Sequence, residues 1–137
     1  MQFPLNATLQ TASGRWPLRL QQARGFWTRF SGLMLRRELE REPVQGLLIP
    51  RCPSVHGFLM RYPLDIVYLA SDEQGGHYHV THTARLRPWG MSFGRNHRIQ
   101  TPAGWITRRS QHALELSAGT VARYGIQPGQ LLEVHLS

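Results

Sequence analysis

Short apolar runs separated by turn-forming residues dominate the chain after residue 43, and they predict β-strands. These runs are rich in branched and aromatic side chains, which favour an extended backbone. The stretch 71–76 is a typical turn sequence between two of the runs and predicts an antiparallel hairpin. The predicted strands are 46–49, 55–60, 64–70, 77–86, 113–116 and 131–136.

Within the hairpin, the segment 77–86 alternates in a way that separates two faces. Tyr78 and Val80 share one face, which could extend to His82, because successive side chains of a strand point to opposite sides. The other face carries His77, His79 and Thr81. Such a pattern is typical of a strand with one solvated side.

Two segments predict helices. Apolar residues at helical spacing follow residue 25 and predict the main helix, which Pro43 ends. Ser117 is the expected N-cap of a short second helix that runs to Tyr124 and ends at Gly125. The apolar residues of the main helix are Phe26, Phe30, Leu33 and Met34.

Two segments lack a regular pattern. The first 15 residues are rich in Thr, Ser and Asn and predict a tail or an edge strand. Residues 88–104 are punctuated by Gly and Pro and predict a long loop, which in a small domain tends to be functional or mobile. The pattern as a whole predicts a single, mostly β domain over residues 1–137.

Composition limits the class of protein. No apolar run approaches the length of a membrane helix, and the N-terminus lacks the basic and apolar regions of a secretory signal. Cys52 is the only cysteine, so no internal disulfide is expected. These features together favour a cytoplasmic protein without membrane association.

The charge is strongly positive and unevenly distributed. All 16 basic residues are arginine, against 8 acidic residues, which gives a net charge of +8. Segments 1–37 and 74–114 contain arginines and no acidic residue. If they meet in the fold they would form an anion-attracting face, and otherwise they are dispersed on a solvated surface.

Four sequence blocks in a fixed order resemble the DUF192 family, a domain of unknown function. They are GLMLR at 32–36, CPSVHGFLMRYPLDIVYL at 52–69, LRPW at 86–89 and LELSAGTVARYGIQPGQLLEV at 114–134. The resemblance covers roughly residues 20–136 and implies a compact, largely β domain with flanking helices, for which no activity is established. Ser117, Gln130 and Gly90 depart from the family pattern.

Asp65 is the carboxylate of greatest interest, since it begins an apolar strand. A buried carboxylate must be paired, hydrogen-bonded or protonated. It could therefore be a site acid or an anchor for Arg61. The alternative, which we favour, is that it caps backbone N–H groups at the Tyr62–Pro63 turn.

Cys52 and His56 could form a nucleophilic pair or contribute to a metal site. A zinc site would also need histidines such as His77, His79 and His82, because only one cysteine is present. A solvent-exposed, histidine-rich strand is the simpler interpretation. No metal or cofactor is predicted.

Aromatic and basic residues alternate through the predicted loop. Trp89, Met91, Phe93 and Trp105 could stack on bases or sugars while Arg87, Arg95 and Arg98 hold phosphates. Alternatively, Trp89 and Phe93 could plug the end of the β core.

The combined prediction is a barrel-like antiparallel sheet domain with one main helix and a short C-terminal helix. Its expected role is non-enzymatic binding of an anionic or polar ligand, or of a protein partner. A small hydrolase or metal-dependent enzyme using His56 and Asp65 is one alternative, and non-specific nucleic-acid binding is the other. The candidate ligand-binding residues are His56, Arg61, Asp65, Arg87, Trp89, Arg95 and Arg98.

Overall fold

The computed structural model describes residues 5–22, 46–57, 62–72 and 75–135. Within these ranges the chain forms short strands and one helix, α1 (Thr120–Tyr124). The strands are β1 (Leu5–Thr11), β2 (Gly14–Gln22), β3 (Gly46–Ile49), β4 (Ser54–His56), β5 (Leu64–Ser71), β6 (His77–Leu86), β7 (Met91–Phe93), β8 (His97–Thr101), β9 (Gly104–Arg108), β10 (His112–Ser117) and β11 (Leu131–His135).

Seven strands close into a barrel in the order β1-β11-β6-β5-β10-β3-β2, and the β1–β2 hairpin completes the ring. The prediction of a barrel-like, mostly β domain is therefore confirmed. The sheet is antiparallel, as predicted, except that β2 and β3 pair in parallel. The predicted main helix falls within residues 23–45, outside the described residues.

Alternate residues of the seven strands point inward and form the barrel core. Because the barrel has no open edge, every strand contributes one face to this cluster. Val67 of β5, Leu114 of β10 and Leu48 of β3 lie side by side in one inward row. The inward core residues are Ala7, Leu9, Leu18, Leu20, Leu48, Val67, Leu69, Val80, Leu114, Leu116, Leu132 and Val134, with Ile126 beside them.

Strand β5 is also buried on its outer side, which explains why 64–70 is continuously apolar. Leu64, Ile66 and Tyr68 face outward and join a second cluster with Cys52 and Val55 near β4. A strand that is covered on both faces needs apolar residues at every position except where a polar group has partners. The small β4–β7 sheet thus packs over one side of the barrel.

Residues 5–15 are neither a tail nor an edge strand, so the prediction for this part of the N-terminal segment is wrong. They form β1 and the start of β2, which pair with each other across a tight turn at residues 12–13. Ala7 and Leu9 point into the core, whereas their neighbours Thr8 and Gln10 are only partly buried. The segment looks polar because a barrel strand buries only every second residue.

The segment 88–104 is not a loop, and this prediction is also wrong. It contains β7 and β8, and β8 continues through a turn at 102–103 into β9. Strand β7 has only three residues, and the β8–β9 hairpin is polar and glycine-containing. Such short strands carry too few residues for alternation to identify them.

The predicted hairpin across 71–76 is confirmed as β5–β6, but the assignment of His82 to the Tyr78 and Val80 face is wrong. Tyr68 pairs with His82 while the next residue of β5, Leu69, pairs with Val80. This bulge inserts an extra residue into β6 and reverses the alternation beyond it. His82 therefore stacks against Tyr68 on the outer side of the barrel.

The short C-terminal helix is confirmed, with a different start. Ser117 is the last residue of β10, and Gly119, in the left-handed conformation, occupies the N-cap position of α1. Gly125 ends the helix as predicted. Among the described residues no helix is long and apolar enough to span a membrane.

Candidate functional site

The site begins with a tight turn at residues 87–90 that is held against Gly57. Gly57 donates its N–H to the carbonyl of Gly90 (2.7 Å) and accepts the N–H of Trp89 (2.6 Å). The turn is closed by a hydrogen bond from Gly90 N–H to the Arg87 carbonyl (2.9 Å). A Cβ on Gly57 would lie 2.3 Å from that carbonyl oxygen, so the close approach requires glycine.

Trp89 occupies the third position of this turn with a φ of 62°. A left-handed conformation is common for glycine and costly for a bulky residue, by about 1–2 kcal/mol. Strained residues of this kind concentrate at functional sites, where the surrounding structure holds them in place. The turn therefore presents an indole where the backbone alone would favour glycine.

The next element, β7, has one exposed face and one buried face. Met91 and Phe93 point outward, and their cross-strand neighbours on β4 are His56 and Ser54. Ser92 points inward and accepts a hydrogen bond from the buried Tyr68 hydroxyl (2.8 Å). Burial raises the pKa of Tyr68, so the phenol stays protonated and keeps this hydrogen bond.

The β8–β9 hairpin also has a fully exposed face. Arg98, Gln100, Trp105 and Thr107 are all exposed and lie on the same side, because Arg98 pairs with Thr107 and Gln100 with Trp105. The Arg98 guanidinium lies over the Trp105 ring, 5.3 Å from its centroid. This is a cation–π contact on the surface of the hairpin.

We call residues 87–109, which lie between β6 and β10, the excursion. Buried hydroxyl groups attach it to the barrel. Ser110 donates its hydroxyl hydrogen to the Arg95 carbonyl (2.8 Å), so Thr81 must donate in its 2.7 Å contact with Ser110. Gly94 packs directly on Ser110, and its N–H bonds to the Pro53 carbonyl (2.7 Å). The segment between β7 and β8 is therefore fixed in position.

These elements carry large apolar and cationic side chains that are exposed to solvent. Four of the five exposed large apolar residues among those described lie on them: Trp89 (64%), Met91 (57%), Phe93 (60%) and Trp105 (58%). The prediction that Trp89 and Phe93 plug the end of the core is therefore wrong. We define the aromatic–arginine surface as Arg87, Trp89, Met91, Phe93, Arg95, Arg98 and Trp105.

The electrostatics of this surface are one-sided. Arg87, Arg95 and Arg98 are exposed, and no acidic residue occurs from 74 to 114. Behind it, burial and the positive charge of Arg95 and His97 lower the pKa of His82. The neutral form of His82 is thus favoured beneath a positively charged surface.

Asp65 is not part of this surface. It is 3% exposed and points into the end of the barrel, where its Oδ2 accepts the N–H groups of Gly119 and Val121, both at 2.9 Å. Its other oxygen pairs with Arg85 Nε at 3.3 Å. The expectation that Asp65 caps backbone N–H groups was right in kind, but the capped groups belong to the start of α1 and not to the Tyr62–Pro63 turn.

Cys52 and His56 differ in accessibility. Cys52 is 2% exposed, and its thiol donates a hydrogen bond to the Ser54 carbonyl (2.9 Å). His56 is exposed at the end of β4. A buried, hydrogen-bonded thiol is inert, so this arrangement does not form an activated nucleophile.

The histidines of the β5–β6 hairpin do not converge on a common site. His79 Nε2 lies 3.5 Å from Asp72 Oδ2, whereas His82 stacks on Tyr68. The described ranges contain no group of three or more His, Cys, Asp or Glu side chains placed to hold a metal ion. Arg61, another predicted ligand residue, lies outside the described residues.

Sequence reasoning missed Gly57 and Ser110, although both position the surface. Neither carries a reactive group, and their importance comes from contacts with the distant turn 87–90 and with Thr81. Of the first basic segment, Arg15 and Arg19 lie on β2. Its other arginines, Arg24, Arg29, Arg36 and Arg37, lie outside the described residues.

The fold is a closed seven-stranded β-barrel, with the β8–β9 hairpin as a separate sheet outside the ring. The family to which the chain belongs has no assigned activity. The chain belongs to the DUF192 family, described as an uncharacterised ACR, whose model matches residues 8–134. The resemblance predicted from the four sequence blocks is confirmed. Among curated proteins, none matches the chain.

Two solved structures share the fold. One is a protein of unknown function from Novosphingobium aromaticivorans, with a TM-score of 0.66 and 25% identity over 95% of this chain and 84% of the other. The second, from Sinorhizobium meliloti, is described as a candidate transcription regulator. It has a TM-score of 0.64 and 28% identity over 96% of this chain and 94% of the other.

Proposed function

We propose that this chain is a non-enzymatic binding module that holds an anionic ligand on its aromatic–arginine surface. The observation that carries the proposal is the exposure of Trp89, Met91, Phe93 and Trp105 on consecutive elements flanked by exposed arginines. Apolar side chains grouped on a surface mark interaction sites, because their exposure is unfavourable until a partner covers them.

The arginines define the chemistry of the ligand. A guanidinium offers a fork of N–H donors that matches phosphate, sulfate or carboxylate oxygens and also stacks on flat rings. Residues 74–114 contain no acidic side chain, so no carboxylate of this segment competes with the ligand for these donors. An anionic group attached to an apolar or planar body suits both halves of the surface.

The geometry favours this role over the enzyme alternative. Both oxygens of Asp65 are engaged by Gly119, Val121 and Arg85, and the carboxylate is buried beneath α1. Asp65 is therefore not available as the acidic partner that a hydrolytic pair with His56 would require. A protein partner with an acidic face would fit the same surface. We expect the chain to be cytoplasmic.

Nucleic acid is the second candidate ligand class. The net charge of +8 supports it, and the related Sinorhizobium meliloti protein is described as a candidate transcription regulator. Binding by charge alone would be weak, indifferent to sequence and strongly dependent on salt.

The proposal is tested with heparin, an anionic polysaccharide, as the probe. Its affinity would be measured for the wild-type protein and for the triple variant Arg87→Gln/Arg95→Gln/Arg98→Gln. The matched control, Arg15→Gln/Arg19→Gln/Arg123→Gln, removes the same charge elsewhere on the described surface. We expect the first variant to lose roughly ten-fold or more in affinity and the control to lose much less. An equal loss in both variants would refute a localised site.

A further inference from the structure

We infer that the aromatic–arginine surface binds single-stranded nucleic acid, with bases stacked on Trp89, Phe93 and Trp105 and phosphates held by the three arginines. The inference rests on the proposed function and goes further by naming the ligand. It follows from four observations: the exposed rings, the Arg98–Trp105 contact, the missing acidic residues and the rigid support beneath the surface.

The exposed rings are suited to stacking. Trp89, Phe93 and Trp105 each expose more than half of their surface, which leaves much of each ring accessible to a planar group. Unpaired bases stack on such rings in single-strand-binding proteins, largely irrespective of sequence, because every base has a π-face. Phe93 and Arg98, the first exposed-face residue of β8, are five residues apart in sequence, so the Cα atoms at which the two exposed faces begin lie within about 18 Å of each other.

The contact between Arg98 and Trp105 places a cation beside a stacking platform. With the guanidinium 5.3 Å from the ring centroid, one nucleotide could place its base on the indole and its phosphate near Arg98. In the sequence, Arg87 lies two residues before Trp89, and Arg95 lies two residues after Phe93. Each of the three aromatic rings therefore has one arginine close to it in sequence or in space, just as each base of a single strand has one phosphate.

The acid-free stretch gives the surface a uniform sign. A polyanion that follows residues 87–105 meets no carboxylate from that segment, and the nearest described acids in sequence are Asp72 and Glu115. Asp72 is already engaged with His79. The charge of this segment is thus complementary to a phosphate backbone.

The single-stranded form is favoured over duplex because of the rings. In a duplex the bases are already stacked on one another, so exposed indoles would meet only the sugar–phosphate backbone. An acidic peptide would supply the negative charge but no succession of flat rings. Single-stranded nucleic acid is the polyanion whose chemistry uses both the arginines and the aromatic residues.

The support beneath the surface is rigid enough to keep these side chains in place. Trp89 is held in a left-handed conformation by the turn that packs on Gly57, and Ser110 fixes the backbone at Arg95. A platform that is formed before the ligand arrives loses less conformational entropy on binding.

The experiment measures fluorescence anisotropy of a labelled oligothymidylate of about 15 nucleotides, within the site sizes of single-strand-binding folds. The same titrations would use an oligouridylate, a duplex of equal length and heparin, at several salt concentrations. Two variants are compared with the wild type: the arginine variant Arg87→Gln/Arg95→Gln/Arg98→Gln and the aromatic variant Trp89→Gly/Phe93→Ser/Trp105→Ser.

The two variants have distinct expected results. The arginine variant should flatten the dependence of log affinity on log salt concentration by about two, because each lost phosphate contact on a single strand removes about 0.7. The aromatic variant should keep the wild-type salt slope and its heparin affinity but bind either oligonucleotide roughly ten-fold or more weakly. Preference for single strands over the duplex should disappear in the aromatic variant.

Several outcomes would overturn the inference. Tighter binding of the duplex, or unchanged oligonucleotide affinity in a folded aromatic variant, would show that the rings do not stack on bases. Binding of heparin with no measurable oligonucleotide binding would refute the inference and leave the proposed function standing. Failure of both heparin and oligonucleotides to bind would refute the proposed function itself. Circular dichroism of each variant, and the single variant Trp89→Gly, separate loss of binding from loss of folding.

Discussion

The Nε2 atom of His112 lies 2.7 Å from the Ser71 hydroxyl, a spacing found in Ser–His hydrolases, yet the pair has the wrong proton arrangement for catalysis. His112 Nδ1 accepts the backbone N–H of Arg51 at 3.0 Å. A neutral imidazole must then carry its proton on Nε2 and donate it to Ser71, so it cannot remove the proton of the hydroxyl group. This histidine joins β5, β10 and the turn after β3 and has a structural role.

We expect the protein to lose stability as the pH falls below about 6.5. Burial, followed by the charge of Arg51, lowers the pKa of His112, and burial with Arg95 and His97 lowers that of His82. The unfolded chain, with histidine pKa near 6.5, therefore binds more protons than the folded protein, so stability is present above this pH and lost below it.

Thermal unfolding midpoints measured between pH 8 and 5 test this prediction. The variant His112→Asn should flatten the decline, because Asn does not titrate and its Oδ1 can accept the Arg51 N–H. A midpoint that is constant or rises toward pH 5 would contradict the assigned sign.

Asp65→Asn is expected to destabilise the fold by about 2–3 kcal/mol. The amide provides one oxygen where the carboxylate uses two, and it loses the charge that pairs with Arg85 and the α1 N–H groups. Urea denaturation measures the difference, and Asp72→Asn is the control, expected to cost less than about 1 kcal/mol. A stable Asp65→Asn protein that lost only ligand binding would instead identify Asp65 as a site acid.

Gly57→Ala should destabilise the protein by about 1–3 kcal/mol and weaken ligand binding at the same time. The new methyl group would meet the Arg87 carbonyl at 2.3 Å and push the 87–90 turn away from β4. Gly75→Ala is a matched control, since a Cβ there meets nothing within 4 Å. Equal stability of the two variants would contradict the packing described for the turn.

Trp89→Gly is expected to separate stability from function. Glycine relieves a left-handed strain of about 1–2 kcal/mol and costs about 0.5–1 kcal/mol in chain entropy, so the free energy of unfolding should change by less than about 1.5 kcal/mol. Ligand affinity should nevertheless fall, because the exposed indole is lost. A protein that unfolds on this substitution would show that Trp89 supports the fold.

Local sequence patterns correctly predicted those elements that are stabilised by residues close to them in the chain. The β5–β6 hairpin follows from its apolar run and turn, and α1 ends at Gly125 as its residues suggest. The partners of Asp65 could not be predicted, since Gly119 and Val121 are more than 50 residues away and meet it only after β10 pairs with β5.

The sequence predicted which residues the candidate site contains but not the secondary structure that carries them. The sequence identified Trp89, Phe93 and their neighbouring arginines, and a loop was expected to carry them. Exposure of Phe93 depends on the short β7 strand, whose Ser92 turns inward to meet Tyr68 and so directs Met91 and Phe93 outward. A three-residue strand has no periodicity that reveals this alternation.

The excursion that carries the aromatic–arginine surface leaves the barrel after β6 and returns at β10, and both of these strands pair with β5. The positions of both ends of the excursion are therefore determined by β5. The backbone hydrogen bonds of β7, β8 and β9 are not part of the ring that closes the barrel. The seven-stranded ladder is therefore complete without residues 87–109. Tyr68 and Thr81 of the barrel are the points at which hydrogen bonds to Ser92 and Ser110 tie this outlying segment to the ladder.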